Sequence, residues 1–277
     1  MHTKNQFRKT LGPQAARLVT ELYERGKTLF SHADVEAITG LQPKSARNFI
    51  AGLVQRGVAA RLQPGLFILV PFELGRESEY LGNPLLIARE LAAGADYYIS
   101  HASAMDVHRM TTQPQLIVYM VCPKAIRPRT MLGVEFRFVR CKPAHLFGLT
   151  THWATKTDQV RVSDLERTII DGLKQPEYCG GFTEVAKGFW MRRDDITPAI
   201  LVDYALRLNV GTVVRRLGYL LEIYRAAGPH ETDRLLQRLT PSYTLLDPLL
   251  PAEGKFNARW RLRLNVAPEE LEAVVRT

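Results

Sequence analysis

Four polar residues, Lys44, Ser45, Arg47 and Asn48, follow Pro43 and have the side chains that recognise nucleic-acid bases and phosphates. Proline suits the first turn of a helix, and apolar residues then recur at three- and four-residue intervals, so the four polar side chains lie on the opposite face. Arginine forms paired hydrogen bonds with guanine, and asparagine forms them with adenine. The spacing therefore predicts the reading face of a recognition helix in the major groove of DNA.

The segment 29–70 supplies the elements that would position this helix. It predicts a short strand, two helices joined by a tight turn at Gly40, and two further strands. Ser31 and Asp34 have the spacing of a helix capping box. This order of elements is that of a winged helix-turn-helix.

The wing is predicted from two apolar stretches separated by a turn at residues 63–65. Arg61 and Gln63 are expected near its tip, where they contact the adjacent phosphate backbone or minor groove of double-stranded DNA. Winged helices also serve protein contacts, and the polar residues of a small helical domain are often merely solvated. A protein-interaction module therefore stays open as an alternative to a DNA-binding domain.

A serine and histidine cluster at residues 100–108 has the residue types of nucleophilic or metal-dependent catalysis. Ser100 lies where a predicted strand meets a helix, but a nucleophile elbow has glycine on both sides of its serine, and none is present here. Ser100 is better explained as a helix cap. His101 and His108 are seven residues apart, whereas a zinc-binding helix places its two histidines four apart. The cluster predicts neither a catalytic nor a metal site.

Glu135 and Arg137 alternate on a predicted strand, as a metal-holding carboxylate and a phosphate-steadying cation do in restriction nucleases. Metal-dependent hydrolysis needs more than one well-placed carboxylate. Asp96 and Asp106 are the nearest candidates, and neither is predicted on a paired strand. We therefore expect no enzyme activity, no metal and no cofactor, with a metal-dependent nuclease kept as an alternative.

Arg259, Arg261 and Arg263 alternate with apolar residues over positions 258–264. A period of two is typical of a β-strand and places the three guanidinium groups on one face. Such a face either is solvated and discourages aggregation of sheet edges, or makes a second basic contact with a phosphate backbone or an acidic partner. The pattern supports both interpretations equally.

The composition of the 277-residue chain is that of a soluble globular protein, with 46% hydrophobic and 23% charged residues. The net charge is +9, and residues 1–75 carry +5 of it, from ten Lys/Arg and five Asp/Glu. Basicity concentrated in this region favours an anionic partner. The sequence has three scattered cysteines, no secretory signal pattern and no apolar run of ~20 residues. It therefore predicts a cytoplasmic protein without a membrane partner.

Glycines, prolines and charges between residues 71 and 84 predict a linker, with a domain boundary near residue 75. The expected fold class is α/β (α+β): a winged helix-turn-helix in residues 1–75 and a mixed α/β domain in residues 76–277, with strands early and helices late. A capping box of Ser163 and Glu166 is expected to begin one of the helices. The strands of the second domain are predicted at 97–100, 115–122, 134–140 and 259–264.

Three segments of the second domain resemble the AbiEi family of antitoxins and transcriptional regulators. They are YYISHASAMDVHRMTTQP from residue 97, RVSDLERTIIDGLKQPEYCGG from residue 161 and RRLGYLLE from residue 215. Their order and spacing match, and the resemblance extends from about residue 13 to about residue 265. Met110 is a minor departure, since related sequences often carry a small apolar residue there.

The resemblance implies the antitoxin of a type IV toxin–antitoxin system, encoded in a phage-defence (abortive infection) operon. The N-terminal domain would bind inverted repeats upstream of the operon and act as a transcriptional repressor. The C-terminal domain would counteract a nucleotidyltransferase-like toxin, and family members are described as doing so without a stable toxin complex.

Overall fold

The computed structural model describes residues 9–74, 80–113 and 115–274 and has a mixed α/β fold. These residues form eleven α-helices and twelve strands in three sheets. The chain divides into two compact units: unit 1 contains residues up to 87 with 130–134 and 153–158, and unit 2 contains the rest. The boundary predicted near residue 75 falls within residues 75–79, outside the described residues.

Residues 9–74 of unit 1 form three α-helices and a three-stranded antiparallel sheet. The helices are α1 (Pro13–Glu24), α2 (His32–Thr39) and α3 (Pro43–Gln55). The strands are β1 (Leu29–Ser31), β2 (Ala59–Gln63) and β3 (Leu66–Leu69), in the order β1-β3-β2. One apolar core joins the helices to the sheet, with Leu18, Val35, Ile50, Leu53 and Phe67 buried in it.

The start and end of α2 follow from local sequence signals, and both were predicted. The backbone N–H of Ser31 donates to Asp34 Oδ2 at 2.8 Å, and the N–H of Asp34 donates to Ser31 Oγ at 3.3 Å, which confirms the capping box. The helix ends at Gly40, whose φ of +72° is in the left-handed region that glycine tolerates best. The short turn that follows leads directly into α3.

The turn between β2 and β3 is built around Pro64 and Gly65. Gly65 has a φ of +85°, where a side chain would be strained. The register between the two strands shifts between Arg61 and Gln63, which is a β-bulge or similar irregularity. Strand β3 lies between its two neighbours and is buried along its whole length.

A six-stranded sheet follows along the chain, together with two helices. The helices are α4 (Pro84–Leu91) and α5 (His101–Val107). The strands are β4 (Tyr98–Ile99), β5 (Ile117–Cys122), β6 (Arg129–Met131), β7 (Val134–Arg140), β8 (Leu149–Trp153) and β9 (Gln159–Ser163), in the order β6-β7-β5-β4-β9-β8. The predicted pairing of β7 with β5 is confirmed, and the two strands run parallel.

Helices dominate the later part of unit 2, but they are not its last elements. They are α6 (Leu165–Lys174), α7 (Phe182–Met191), α8 (Pro198–Leu208), α9 (Gly211–Ile223), α10 (Pro229–Leu236) and α11 (Pro268–Ala273). A third sheet lies before α11, made of β10 (Thr244–Leu245), β11 (Lys255–Asn257) and β12 (Leu262–Leu264) in the order β10-β12-β11. The prediction of early strands and late helices therefore fits only in part.

Two local predictions for unit 2 were wrong. The cap of α6 is Asp164 rather than Ser163, because the Asp164 side chain accepts the N–H of Arg167 at 2.7 Å. Glu166 instead accepts the N–H of Thr197 at 2.8 Å. The strand predicted at 259–264 begins only at Leu262, and Arg261 before it has a φ of +52°.

Candidate nucleic-acid interface

The outer face of α3 presents Lys44, Ser45, Arg47 and Asn48 to solvent. All four residues are exposed, whereas Ala46, Ile50 and Leu53 on the opposite face are buried in the core of unit 1. Residues three and four positions apart are neighbours on a helix surface, so Lys44, Arg47 and Asn48 lie side by side. The predicted polar face is therefore a single continuous surface in the first two turns.

These side chains are not engaged within the protein. Among the described residues, the side chains of Lys44, Arg47 and Asn48 have no hydrogen-bond or ion-pair partner, whereas Arg25, directly after α1, is paired with Glu21. A ligand of this face therefore displaces only water. The donors of Arg47 and Asn48 are available for a bidentate contact at no cost in existing bonds.

The beginning of α3 adds backbone donors to this face. Gln42 occupies the cap position without a capping hydrogen bond from its side chain, and the first turn of α3 carries no acidic residue. The first N–H groups of a helix have no partner within the helix and carry the positive end of its dipole. This end of α3 therefore favours a phosphate or another anion.

The β2–β3 hairpin places Arg61 and Gln63 differently. Arg61 is exposed, whereas Gln63 is half-buried, and its side-chain carbonyl oxygen is buried without a hydrogen-bond partner in the described structure. Because this acceptor is turned inward, the amide of Gln63 is less available than the sequence suggested. Arg61 has the clearer access to a ligand.

In unit 2 the three arginines predicted to form a stripe lie in three different settings. Arg259 Nε donates to Glu222 Oε2 at 2.6 Å, which makes it part of an ion pair. Arg261 Nη1 donates to the hydroxyl of Tyr243 at 3.2 Å, and the Arg263 guanidinium lies 5.3 Å from the centre of the Phe256 ring. Tyr243 and Phe256 were missed, because they come from separate segments and no local spacing connects them to the arginines.

The Ser100–His101 pair has no access for a substrate. Ser100 Oγ and His101 Nδ1 are 2.8 Å apart, and both residues are buried. Ser100 occupies the cap position of α5 but makes no capping hydrogen bond with its side chain. A cavity of ≈160 Å³ in unit 2 is lined by Tyr119 and Tyr178, whose rings contact His101, and neither Ser100 nor His101 lines it. The arrangement offers no exposed nucleophile.

Burial lowers the pKa of His101 to about 4, against the opposing effect of Asp171, so the imidazole is neutral in the folded protein at neutral pH. In the unfolded chain its pKa returns to 6.5, so the unfolded state binds the proton first as the pH falls. Proton uptake by His101 on unfolding should therefore lower the free energy of unfolding by about 1.4 kcal/mol for each unit by which the pH falls between these two pKa values. The loss begins near pH 6.5 and ends near pH 4.

This pH dependence is measurable by urea unfolding of the wild type and His101→Asn at several pH values. Asparagine suits the positive φ of +50° at this position and does not titrate. We expect the variant to lose less stability than the wild type between pH 6.5 and about 5, by about 2 kcal/mol. Burial also lowers the pKa of His108, but this histidine makes the same pH-dependent contribution to the stability of both proteins. Parallel pH profiles would contradict the prediction.

A buried network underlies the segment from residue 163 to residue 171. Arg167 Nε donates to Asp171 Oδ1 at 3.0 Å, and the hydroxyl of Tyr98 donates to Asp171 Oδ2 at 3.0 Å. Arg167 Nη2 donates to the oxygen of Tyr98 at 2.8 Å, and its guanidinium lies 4.3 Å from the centre of the Phe147 ring. Arg167 Nη1 is buried without a hydrogen-bond partner in the described residues, and the other polar groups of the network pair with one another. These bonds hold α6 against the sheet.

The arginines of the RRLGYLLE segment are also internal. Arg216 Nη1 donates to the carbonyl of Leu173 at 2.7 Å and its Nη2 donates to that of Leu245 at 3.1 Å. Arg215 Nη2 donates to the hydroxyls of Thr240 and Ser242. Burial lowers the pKa of both arginines. The hydrogen bonds of Arg215 and Arg216 connect separate segments of unit 2, and these arginines do not belong to an exposed basic surface.

The carboxylates considered for a metal site are dispersed. Glu135 is paired with Arg137 at 2.6 Å, and Asp96 with Arg161 at 3.0 Å. No group of three or more His, Cys, Asp or Glu side chains in the described residues is arranged to hold a metal ion. Burial raises the pKa values of the thiols of Cys122, Cys141 and Cys179, so none is an activated nucleophile.

The chain matches no family model and has no significant match among curated proteins. A solved structure, that of the RV2827C protein from Mycobacterium tuberculosis, is similar with a TM-score of 0.68. The two chains share 18% sequence identity, and the similarity covers 98% of this chain and 97% of that one. At this identity it shows a shared fold alone. No helix in the described parts of the chain is long and apolar enough to cross a membrane.

Proposed function

We propose that this chain is a sequence-specific DNA-binding protein, with a winged helix-turn-helix in residues 29–69 and α3 as its recognition helix. The supporting observation is the exposed face of α3, on which Lys44, Arg47 and Asn48 are adjacent and have no partner in the described structure. The order β1-α2-α3-β2-β3 supports this proposal, because a winged helix-turn-helix has its elements in the same order. The +5 charge of residues 1–75, from ten Lys/Arg and five Asp/Glu, agrees with an anionic ligand.

Each side chain has a role that follows from its position on α3. Arg47 reads a guanine edge and Asn48 an adenine edge in the major groove, since these residues supply the bidentate donors and acceptors for those bases. Lys44 and Ser45, in the first turn, contact phosphate beside the free N–H groups of the helix. Arg61 on the hairpin contacts the adjacent phosphate backbone or the minor groove. Gln63, on the same hairpin, has a smaller part in this contact because its side-chain oxygen is turned inward.

The resemblance to AbiEi proteins supports a biological setting for this binding. In this proposal the protein is a cytoplasmic antitoxin that binds inverted repeats upstream of its own operon and represses it. Unit 2 then counteracts a nucleotidyltransferase-like toxin. Residues 163–171 and 215–221, most of which are buried, would then support the surface that counteracts the toxin.

The proposal is tested by gel-shift and footprinting on the DNA upstream of the gene, with the full chain at two salt concentrations. Arg47→Ala should weaken binding to the protected site by roughly 1–3 kcal/mol and relax the preference at one base pair, because a bidentate contact is lost. The matched control is Arg17→Ala, which removes an exposed arginine of α1. It should leave the site preference unchanged.

Lys44→Ala separates phosphate contacts from base reading. It should weaken binding to all sequences and lower the slope of log K against log salt by about one. Weak and uniform binding that neither Arg47→Ala nor Asn48→Ala changes would refute the recognition-helix assignment. A salt-insensitive complex with the toxin and no affinity for DNA would instead identify a protein-interaction module.

A further inference from the structure

One surface of unit 2 combines two exposed aromatic rings with two arginines. It consists of Tyr243, Phe256, Arg261 and Arg263, and we call it the aromatic–arginine surface. Arg263 lies directly opposite Phe256 in the antiparallel pair β11–β12, and opposite residues of a pair project from the same face of a sheet. The Tyr243 and Phe256 rings meet edge to face, with centres 5.1 Å apart. Three separate chain segments thus form one surface.

The two arginines of this surface lack acidic partners. The guanidinium of Arg261 lies 5.6 Å from the centre of the Tyr243 ring, and that of Arg263 lies 5.3 Å from the centre of the Phe256 ring. Neither forms an ion pair with a carboxylate in the described residues, whereas the neighbouring Arg259 is paired with Glu222. Two positive charges are therefore held beside aromatic rings without neutralisation, which favours an anionic ligand.

Both aromatic rings are accessible to solvent. Phe256 is 63% exposed and Tyr243 is 39% exposed, although both are large apolar rings that folding would normally bury. A ligand that offers flat apolar groups as well as negative charge would therefore match this surface. In duplex DNA the base faces are stacked on each other, so a duplex presents the charge but no free face. A single strand presents both.

We propose that the aromatic–arginine surface binds single-stranded nucleic acid, with bases stacked on Phe256 and Tyr243 and phosphates held by Arg261 and Arg263. Aromatic rings that stack on bases, together with cations that follow the backbone, are the general basis of single-strand binding. This activity uses other residues than the duplex reading proposed for α3 and does not depend on it. It would give unit 2 a nucleic-acid ligand of its own.

The test is the fluorescence anisotropy of labelled oligo(dT) and a matching oligo(U), titrated with the full chain carrying Arg47→Ala and Asn48→Ala. These two changes remove base reading by α3. All variants of Phe256 share them, so any phosphate contact that remains in unit 1 is the same in each comparison. Adding Phe256→Ala should weaken binding by about tenfold. Phe256→Leu should bind the oligonucleotides as weakly as Phe256→Ala, because leucine is apolar but has no ring. Phe256→Trp should restore the affinity.

Leu116→Ala is the matched control, because it removes a 70% exposed apolar side chain elsewhere in unit 2. It should leave the affinity unchanged. Thermal unfolding monitored by circular dichroism checks that each variant is folded. A loss confined to the DNA or to the RNA strand would identify that strand as the ligand and still support the stacking site.

Arg261→Gln tests the electrostatic part. It should lower the slope of log K against log salt by about 0.7, the contribution of one phosphate contact on a single strand. Arg140→Gln, at another exposed arginine of unit 2, should not change the slope. The proposal is overturned if Phe256→Ala binds as tightly as the parent. It is also overturned if Phe256→Leu keeps full affinity, or if an unlabelled duplex competes as well as the single strand.

Discussion

Arg167→Met should lower the free energy of unfolding by about 3–5 kcal/mol, because it leaves the carboxylate of Asp171 buried without its cation. The side chains of Arg167 and Asp171 are only 1% and 3% exposed. Tyr98 would remain as a donor to Asp171, but one hydroxyl does not replace a guanidinium. Urea unfolding followed by circular dichroism measures the loss.

The double variant Arg167→Met with Asp171→Leu separates the charge from the packing. Removing both partners of a buried ion pair is often close to neutral, so part of the lost stability should return. The recovery should be incomplete, because the buried Tyr98 hydroxyl then loses both of its partners. The matched control is Arg161→Met, which breaks the exposed pair with Asp96 and should change stability by less than about 1 kcal/mol. If Arg161→Met proved as destabilising as Arg167→Met, burial of the pair would not be the cause.

This network bears on the meaning of the AbiEi-like segments. The polar side chains of Asp164, Glu166, Arg167, Thr168 and Asp171 all have hydrogen-bond partners inside the protein. Arg215 and Arg216 likewise donate to groups of unit 2. These polar residues of the segments thus hold helices and strands of unit 2 together. If unit 2 counteracts a toxin as proposed, side chains around these residues would make the contacts.

Unit 1 was the more predictable part, because its signals are local. The capping box at Ser31, the stop at Gly40 and the start of α3 at Pro43 each depend on a few neighbouring residues. Helical spacing then determines which side of α3 faces the core, so the exposure of Lys44, Arg47 and Asn48 follows from the sequence. The inward turn of the Gln63 carbonyl depends on side-chain packing and could not be predicted.

The arginines of unit 2 were harder to place, because their partners come from distant segments. The alternation of residues 258–264 is typical of a strand, yet Arg261 adopts a left-handed conformation and the strand begins after it. Arg259 is held by Glu222 on α9, and Arg263 lies over Phe256 of β11. Only the tertiary structure shows that Arg259 is paired with a carboxylate, whereas Arg261 and Arg263 have no carboxylate partner in the described residues.

Trp260 explains why the alternation breaks down at this point. Its side chain is fully buried, and its indole N–H donates to Glu222 Oε2 at 2.9 Å. The ring lies over Gly218, one turn before Glu222 on the same helix, and a Cβ at Gly218 would overlap three of its ring carbons. The backbone φ of Gly218 is not in the left-handed region, so backbone conformation does not require a glycine here. Glycine is required because the indole ring approaches so closely.

Gly218→Ala should therefore destabilise the protein by about 3 kcal/mol or more, because the indole must move out of a close-packed site. Displacement of Trp260 would also disturb the start of β12 and with it the position of Arg263. Urea unfolding followed by circular dichroism gives the free energy, and near-ultraviolet circular dichroism reports on the packing of the indole.

The matched control is Gly52→Ala on α3, where an added Cβ meets no atom within 4 Å. In a helix with free space alanine is favoured over glycine, so this variant should gain about 0.5–1 kcal/mol. Opposite signs at two helical glycines would show that the space around the Cβ, and not helix propensity, decides the outcome. A Gly218→Ala protein as stable as the wild type would mean that Trp260 does not rest on α9 as described. The described position of Arg261 in the aromatic–arginine surface, which directly follows Trp260, would then be wrong as well.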